Sequence, residues 1–224
     1  EKMKEENIVM PDYKHCILGT ITSILKHYNV DSKHKSSEKI DKILNEKNYK
    51  NVVLLILDGM GDIVLKNIDE NGYFRKNQID VVTSVYPSTT TAALTTYYAG
   101  KPPYETGWIA WSQYFKEYGR ALDMLSHLES YKHESIKDTK MDVFKEVVNY
   151  KTVFEQIEEA SSVKAYEIMP SYSDRRSKRT IKADSIDEIV DNILMLDKNS
   201  EEKFVMAYSD NPDGLLHKYG TDSD

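Results

Sequence analysis

The sequence contains only one cysteine, Cys16, among its 224 residues. A single cysteine cannot form a disulfide within the chain, and it cannot supply a cysteine-based zinc cluster. Any metal site in this chain must therefore use histidines and carboxylates. Long apolar runs are also missing, since the longest, residues 52–57, is far too short to cross a bilayer. With no signal-peptide core near the start, we expect a cytoplasmic protein without a membrane partner.

An excess of positive charge is absent as well. The net charge is −7, which disfavours a protein that binds nucleic acid duplexes through a basic face. A small phosphorylated substrate remains compatible, because a bound metal can supply positive charge locally. Hydrophobic residues make up 40% of the chain, so we expect a sizeable core rather than disorder.

No internal repeat or low-complexity linker divides the chain, which predicts a single domain over residues 1–224. Residues 104–185 are rich in tyrosine and charge, and they form a possible cap or insert within that domain. The sequence begins with Glu1 and stops in a polar stretch after residue 220, which predicts a piece of a longer protein, incomplete at its C-terminus. The oligomeric state stays open.

Strand patterns alternate with helix patterns along the chain. Apolar runs rich in β-branched residues predict strands over 51–57, 79–86 and 204–208. Helical spacing of apolar residues, or a run between turn signals, predicts helices over 12–28, 36–48, 62–70, 92–99, 121–130, 151–160 and 185–197. The alternation favours an α/β fold with a mostly parallel central sheet and helices on both faces. Ligands of such sheets bind beyond the carboxyl ends of the strands.

Polar residues follow each of the three predicted strands. Asp58-Gly59 follows the first, where a hairpin turn and a dinucleotide loop are alternatives to a metal-binding carboxylate. Against the hairpin, the incoming strand does not alternate as a half-exposed strand would. Against the dinucleotide loop, Val64 stands where a third glycine is required. A carboxylate at a strand tip is well placed to hold a divalent metal.

Hydroxyl residues follow the second predicted strand, in Pro87-Ser88-Thr89-Thr90-Thr91. One of them is expected to cap the next helix, but four consecutive hydroxyls exceed what capping needs. A hydroxyl in the first turn of a helix lies near free N–H groups and the positive end of the helix dipole. Such a hydroxyl becomes a competent nucleophile when a neighbouring metal lowers its pKa.

The third cluster runs from Asp210 to His217 and contains Pro212-Asp213-Gly214, which is also a common turn sequence. If the segment after Asp213 is helical, Asp213 and His217 lie on one face because they are four residues apart. An aspartate and a histidine on one helix face can coordinate one metal.

Together, the three clusters resemble the alkaline phosphatase superfamily, and within it the type I phosphodiesterase/nucleotide pyrophosphatase family. The resemblance covers roughly residues 51–111 and 204–220, in the order strand–Asp-Gly, strand–Pro-Ser-x-Thr–helix, strand–Pro-Asp-x-x-x-His. It implies two divalent metal ions, zinc by analogy. Asp58 would bind one metal, Thr90 would be the nucleophile that bridges to it, and Asp213 and His217 would bind the other.

The chain departs from this family's pattern in two places. The family completes its metal pair with an Asp-His dipeptide and a further histidine, and neither follows His217. We therefore expect weak metal binding and little hydrolysis by these 224 residues. Trp111 stands near the position of a phosphate-binding asparagine. With Thr91 and Trp108 it is a candidate substrate-binding residue, although both tryptophans are equally compatible with a core role. The basic run at residues 175, 176, 178 and 179 is expected to be a solvated face.

The resemblance implies a metal-dependent phosphoesterase that acts on a small phosphorylated substrate through a covalent phosphothreonine at Thr90. The second metal would activate water to release the phosphate. A phosphate-transferring mutase of the same superfamily is one alternative, and a non-catalytic binding module that has lost the metal pair is another. The sulfatase branch is disfavoured because its Cys-x-Pro-x-Arg motif is absent.

Overall fold

The computed structural model of the protein describes residues 9–136, 142–174 and 177–220. Its strands are β1 (Asn51–Leu57), β2 (Ser112–Phe115), β3 (Arg120–Asp123), β4 (Leu128–Glu129), β5 (Lys164–Met169), β6 (Thr180–Lys182) and β7 (Lys203–Ser209). Its helices are α1 (Ile17–His27), α2 (Glu38–Asn45), α3 (Asp62–Lys66), α4 (Tyr73–Lys76), α5 (Thr90–Ala99), α6 (Pro103–Thr106), α7 (Val143–Glu146), α8 (Val153–Ala160), α9 (Ile186–Asp197) and α10 (Asp213–Tyr219). Within these ranges, no helix is long and apolar enough to cross a membrane.

Four parallel strands form the central sheet, in the order β1-β7-β5-β6. β1 and β7 pair along their whole length, from Asn51 opposite Lys203 to Leu57 opposite Ser209. Their carboxyl ends therefore lie side by side, and the residues that follow each strand begin at the same edge of the sheet.

Helices cover both faces of this sheet. Alternate residues of a strand point to opposite faces, so each strand contributes side chains to two cores. Phe204, Met206 and Tyr208 of β7 belong to a core shared with α1, α5 and α8. Val205 and Ala207 point the other way, into a second core that includes residues of α9. The predicted α/β fold with a parallel sheet between helical layers is confirmed.

A second, antiparallel sheet of three short strands follows in the order β2-β3-β4. The helix predicted over residues 121–130 is wrong, since β3 and β4 occupy that range. Gly119, with φ +64°, ends a tight turn in which its N–H bonds to the carbonyl oxygen of Phe115. This turn sends β3 back along β2, and Leu122 is then buried in a separate core with Trp108.

The strand predicted over residues 79–86 is also wrong. In that range only Thr83 makes a β-bridge, with Cys16. The Thr83 N–H donates to the carbonyl oxygen of His15, and the Ile17 N–H donates to the carbonyl oxygen of Thr83. The partner segment turns into α1 at Ile17, so no ladder can extend beyond this bridge. Ile79 and Val81 remain exposed, which shows that their β-branched side chains are not strand-core residues.

The range 104–185 contains two kinds of structure. The antiparallel sheet and its small core lie in its first part, whereas α8, β5 and β6 belong to the central sheet and its helical layer. The division of the chain into one domain with a cap stays a prediction, and the small core is the candidate for that cap.

Candidate active site

Asp58 lies directly after β1, and both oxygens of its carboxylate accept hydrogen bonds. The N–H of Gly59 donates to Oδ1 at 3.1 Å. The Thr90 hydroxyl donates to Oδ2 at 3.0 Å, and the Tyr208 hydroxyl donates to the same oxygen at 2.8 Å. The predicted meeting of Asp58 and Thr90 is thus a direct contact across 32 residues of sequence.

Thr90 is the first residue of α5, and Thr89 occupies the N-cap position. No side chain makes a cap hydrogen bond at this end of the helix. The first N–H groups of α5 therefore keep the capacity to bind an anion beside the Thr90 hydroxyl. Thr91 differs from its neighbour, because it is 0% exposed and faces the interior. A substrate-binding role of Thr91 stays a prediction, and the burial of its side chain does not support it.

Asp213 is brought to Asp58 by the backbone. Its N–H donates to the carbonyl oxygen of Asp58 at 2.9 Å. Gly59 has φ +77°, and a Cβ at that position would lie 2.7 Å from the Cα of Asp213. Glycine is required here both by its φ and by this close approach. Asp58-Gly59 is not a hairpin turn, since the chain continues into α3 and β1 pairs in parallel with β7.

His217 follows Asp213 by one helical turn, as the spacing predicted. Both residues lie on α10, with His217 Nε2 3.4 Å from Asp213 Oδ2. The His217 side chain is 81% exposed, so its ring is open to solvent. Asp58, Thr90, Asp213 and His217 therefore converge at one edge of the sheet.

Negative charge is concentrated at this edge. Burial raises the pKa of Asp213, and the nearby Asp58 carboxylate raises it further. His217 lowers this pKa, and Asp210 raises it by the smallest amount. Burial and then the Asp58 carboxylate raise the pKa of Tyr208, so its hydroxyl stays protonated and donates. Burial, followed by Asp210, raises the pKa of Tyr172 to about 12.

The donors at this edge fit a divalent metal in kind. They are two carboxylates, an imidazole and a hydroxyl, and a bound cation would offset the repulsion between the Asp58 and Asp213 carboxylates. Four donors are few for two metal ions, because catalytic zinc usually takes three protein ligands. In the part of the chain that the structure describes, no group of three His, Cys, Asp or Glu side chains is arranged to hold a metal ion.

The two tryptophans lie in different surroundings. Trp108 is 2% exposed, and its ring stacks on Phe144 with the ring centroids 4.8 Å apart. Its indole N–H donates to the carbonyl oxygen of Val148. Trp108 is therefore a core residue of the small sheet, and its ring cannot face an open cleft. Trp111 is 43% exposed and keeps a surface that a ligand can reach.

Sequence reasoning missed Tyr208 and Tyr172 as site residues. Tyr208 was read only as part of a buried strand, although it stands two residues before Asp210 at the strand end. Tyr172 is 44% exposed and lies beside Asp210 and Tyr208. It comes from the loop after β5, and the sequence predicted neither this strand nor its pairing with β7. No local pattern in residues 170–174 indicates this position.

The remaining basic and histidine residues lie elsewhere. Arg175 and Arg176 of the basic run lie outside the described residues, and Arg179 forms an ion pair with Glu158. His127 and His133 are next to Asp174 and Asp123 rather than the Asp58 cluster.

Comparison with known proteins agrees with the geometry. A model of the type I phosphodiesterase/nucleotide pyrophosphatase family matches residues 52–224, a range that contains all four converging residues. No curated protein and no solved structure matches the chain.

Proposed function

Because the chain belongs to the type I phosphodiesterase/nucleotide pyrophosphatase family, we propose that it hydrolyses a phosphodiester or pyrophosphate bond with Thr90 as the nucleophile. The observation that carries this proposal is the hydrogen bond from the Thr90 hydroxyl to Asp58, at the uncapped start of α5. A hydroxyl, a carboxylate and free helix N–H groups meet there, which are the groups that phosphoryl transfer to a side chain requires.

The family typically uses divalent metals. Asp58 and Thr90 would hold one of two metal ions, for which we propose zinc, and Asp213 with His217 would hold the other. When bound, such ions neutralise charge on the phosphate and lower the pKa of coordinated hydroxyl groups and water.

The residues of the chain have separate roles in this reaction. The Thr90 hydroxyl points its proton at Asp58 Oδ2, so the lone pairs of Thr90 Oγ1 are free to attack phosphorus. The first N–H groups of α5 stabilise the charge on the phosphate oxygens. A bond forms between Oγ1 and phosphorus while the bond to the leaving group breaks. The Thr90 hydroxyl proton passes to solvent water, and the leaving group takes up a proton from solvent. Water then hydrolyses the phosphothreonine and restores the hydroxyl.

The substrate is a small phosphorylated molecule in this proposal. Tyr172 and Trp111 both have exposed aromatic rings that a substrate can contact. We propose that Tyr172 contacts the substrate, because it lies beside Asp210 at the candidate site. A cytoplasmic location stays a prediction.

The direct test compares Thr90→Ala with Thr91→Ala and Ser88→Ala, using nitrophenyl phosphate mono- and diesters as substrates. Loss of a covalent nucleophile is expected to lower kcat by several orders of magnitude, roughly 10³-fold or more. The other two variants keep the nucleophile and are expected to stay within about tenfold of the wild type. Equal losses in all three variants would show that Thr90 is not the nucleophile.

The same assay separates the alternative functions. A mutase transfers phosphate between substrate hydroxyls without releasing it, whereas a non-catalytic module gives no turnover and traps no phosphate on Thr90. Mass spectrometry of acid-quenched protein, with Thr90→Ala as the blank, detects the proposed phosphothreonine.

A further inference from the structure

Tyr208 connects the buried core to the candidate site. Its side chain is almost wholly buried and belongs to the core on the α5 face of the sheet, where Phe204 and Met206 of the same strand also lie. Its hydroxyl leaves this core to donate to Asp58 Oδ2 at 2.8 Å. The proposed reaction assigns no task to this hydroxyl.

The pairing of β1 with β7 explains why the hydroxyl arrives there. Tyr208 stands opposite Ile56 in the parallel register, and the Asp58 N–H donates to the carbonyl oxygen of Ser209. Tyr208 is therefore one residue before the sheet edge, on the same face as α5. A tyrosine ring held by core packing has little freedom, so the position of its hydroxyl is fixed by the fold.

This bond limits how the Asp58 carboxylate can turn. Oδ1 is held by the N–H of Gly59, and Oδ2 is held by Tyr208 while it accepts from Thr90. Without the Tyr208 hydroxyl, Oδ2 would keep only the Thr90 hydroxyl as a hydrogen-bond partner among the residues that the structure describes. The carboxylate could then rotate, and the nucleophile would lose its fixed acceptor.

We infer that Tyr208 is a positioning residue, which holds Asp58 in the orientation that directs the Thr90 hydroxyl and presents the carboxylate to a metal ion. This inference rests on the proposed function. Residues that orient a ligand carboxylate typically change metal affinity or activity about 10–100-fold when they are removed.

The test uses Tyr208→Phe, which removes the hydroxyl and keeps the ring in the core. Tyr98→Phe is the matched control, because Tyr98 is also a buried tyrosine that donates to a carboxylate, that of Glu167. A merely structural role predicts similar behaviour of the two variants. A positioning role predicts that only Tyr208→Phe lowers zinc affinity and kcat, each by about 10–100-fold, with KM changed less than about threefold.

A readout without metal uses the thermodynamic cycle formed by Tyr208→Phe and Asp58→Asn. Their effects on the unfolding equilibrium constant of metal-free protein should deviate from additivity by about tenfold, since a hydrogen bond to a charged group is lost in either single variant. The cycle formed by Tyr98→Phe and Asp58→Asn should be additive.

Additive behaviour of Tyr208 and Asp58 would overturn the inference. So would coupling accompanied by zinc affinity and kcat that match those of Tyr98→Phe, because the bond would then only stabilise the fold. All of these measurements use the full-length protein. A full-length wild-type protein that neither binds zinc nor turns over any ester would remove the proposed function itself, and the positioning role with it.

Discussion

Gly59 shows how one residue without a side chain brings two candidate ligands together. Its positive φ turns the chain after Asp58, and its bare Cα lets the backbone of Asp213 come within hydrogen-bond distance of the Asp58 carbonyl. From the sequence, a hairpin turn at Asp58-Gly59 was only an alternative to a metal-binding carboxylate. The reason for the glycine is the approach of a segment more than 150 residues away.

Gly59→Ala is expected to destabilise the protein by about 1–3 kcal/mol, through the strain of a positive φ on a residue with a Cβ. The new Cβ would also push Asp213 away from Asp58, so zinc affinity should fall together with stability. Urea unfolding and a zinc titration measure the two effects. Gly61→Ala is the control, because no heavy atom lies within 4 Å of its Cβ position and its φ is ordinary. Equal effects at both positions would contradict the packing argument.

At the scale of the element, helices α5 and α8 differ in how their N-termini are capped. α8 begins with a capping box, in which Thr152 and Glu155 each bond to the other's backbone N–H. α5 begins at Thr90, and the side chain of its N-cap residue, Thr89, makes no cap hydrogen bond. Helices α1 and α2 also lack a side-chain cap, so what distinguishes the start of α5 is the Thr90 hydroxyl and its bond to Asp58. The free N–H groups there can bind an anion.

Thr152→Ala is expected to cost about 1 kcal/mol of stability, because it removes a formed cap. Thr89→Ala should cost much less, since no cap bond is lost. Guanidinium unfolding of both variants in phosphate-free buffer makes this comparison. A loss at Thr89 as large as that at Thr152 would mean that Thr89 caps α5 in solution.

Asp80 ties the segment before β-bridge residue Thr83 to α2 and to the start of the chain. It accepts from Lys39 Nζ at 2.7 Å and from His15 Nε2 at 2.9 Å. The bond from Lys39, followed by the bond from His15, lowers the pKa of Asp80 to about 2. This link replaces the ladder that a strand over residues 79–86 would have made.

A lowered carboxylate pKa stabilises the folded state above the ordinary pKa and loses that contribution as pH falls through the lowered value. Asp80→Asn is therefore expected to lower Tm at about pH 7, with a difference that shrinks between about pH 4 and pH 2. Thermal unfolding over this range checks it, with Asp31→Asn at an exposed position as the control. A difference that persists unchanged at about pH 2 would assign the effect to packing rather than charge.

At the scale of the whole molecule, the buried residues divide into the two faces of the central sheet and the small core around Trp108. Tyr150 packs against both the small core and the α5 face. Because the small core is separate from both cores of the central sheet, it is the candidate for the predicted cap.

Trp108→Ala is expected to cost about 3–5 kcal/mol within the small core, by leaving a cavity beside Phe144. If this core is a separate unit, hydrogen exchange should rise in β2, β3 and β4, whereas β1 and β7 stay protected. Exchange that rises equally in all five strands would show that the chain is one cooperative domain without a cap.

The sequence by itself determined the fold class, the adjacent strands β1 and β7 of the sheet, and the four residues that converge at its edge, but not strands β5 and β6. Short-range signals suffice for these, because an apolar β-branched strand, a hydroxyl run before a helix and an Asp-His pair one helical turn apart are local patterns. In a parallel sheet, strand ends meet at one edge, which brings Asp58 and Asp213 together.

Only the tertiary structure decided the surroundings of Tyr208, Tyr172, Trp108 and Thr91. Each depends on which strand lies next to β7 or on which side of a helix faces the core, and local sequence does not specify either. Residues 79–86 and 121–130 were misread for the same reason. A strand needs a partner, and whether an apolar segment pairs, bends or folds into a hairpin is set by the chain that packs beside it.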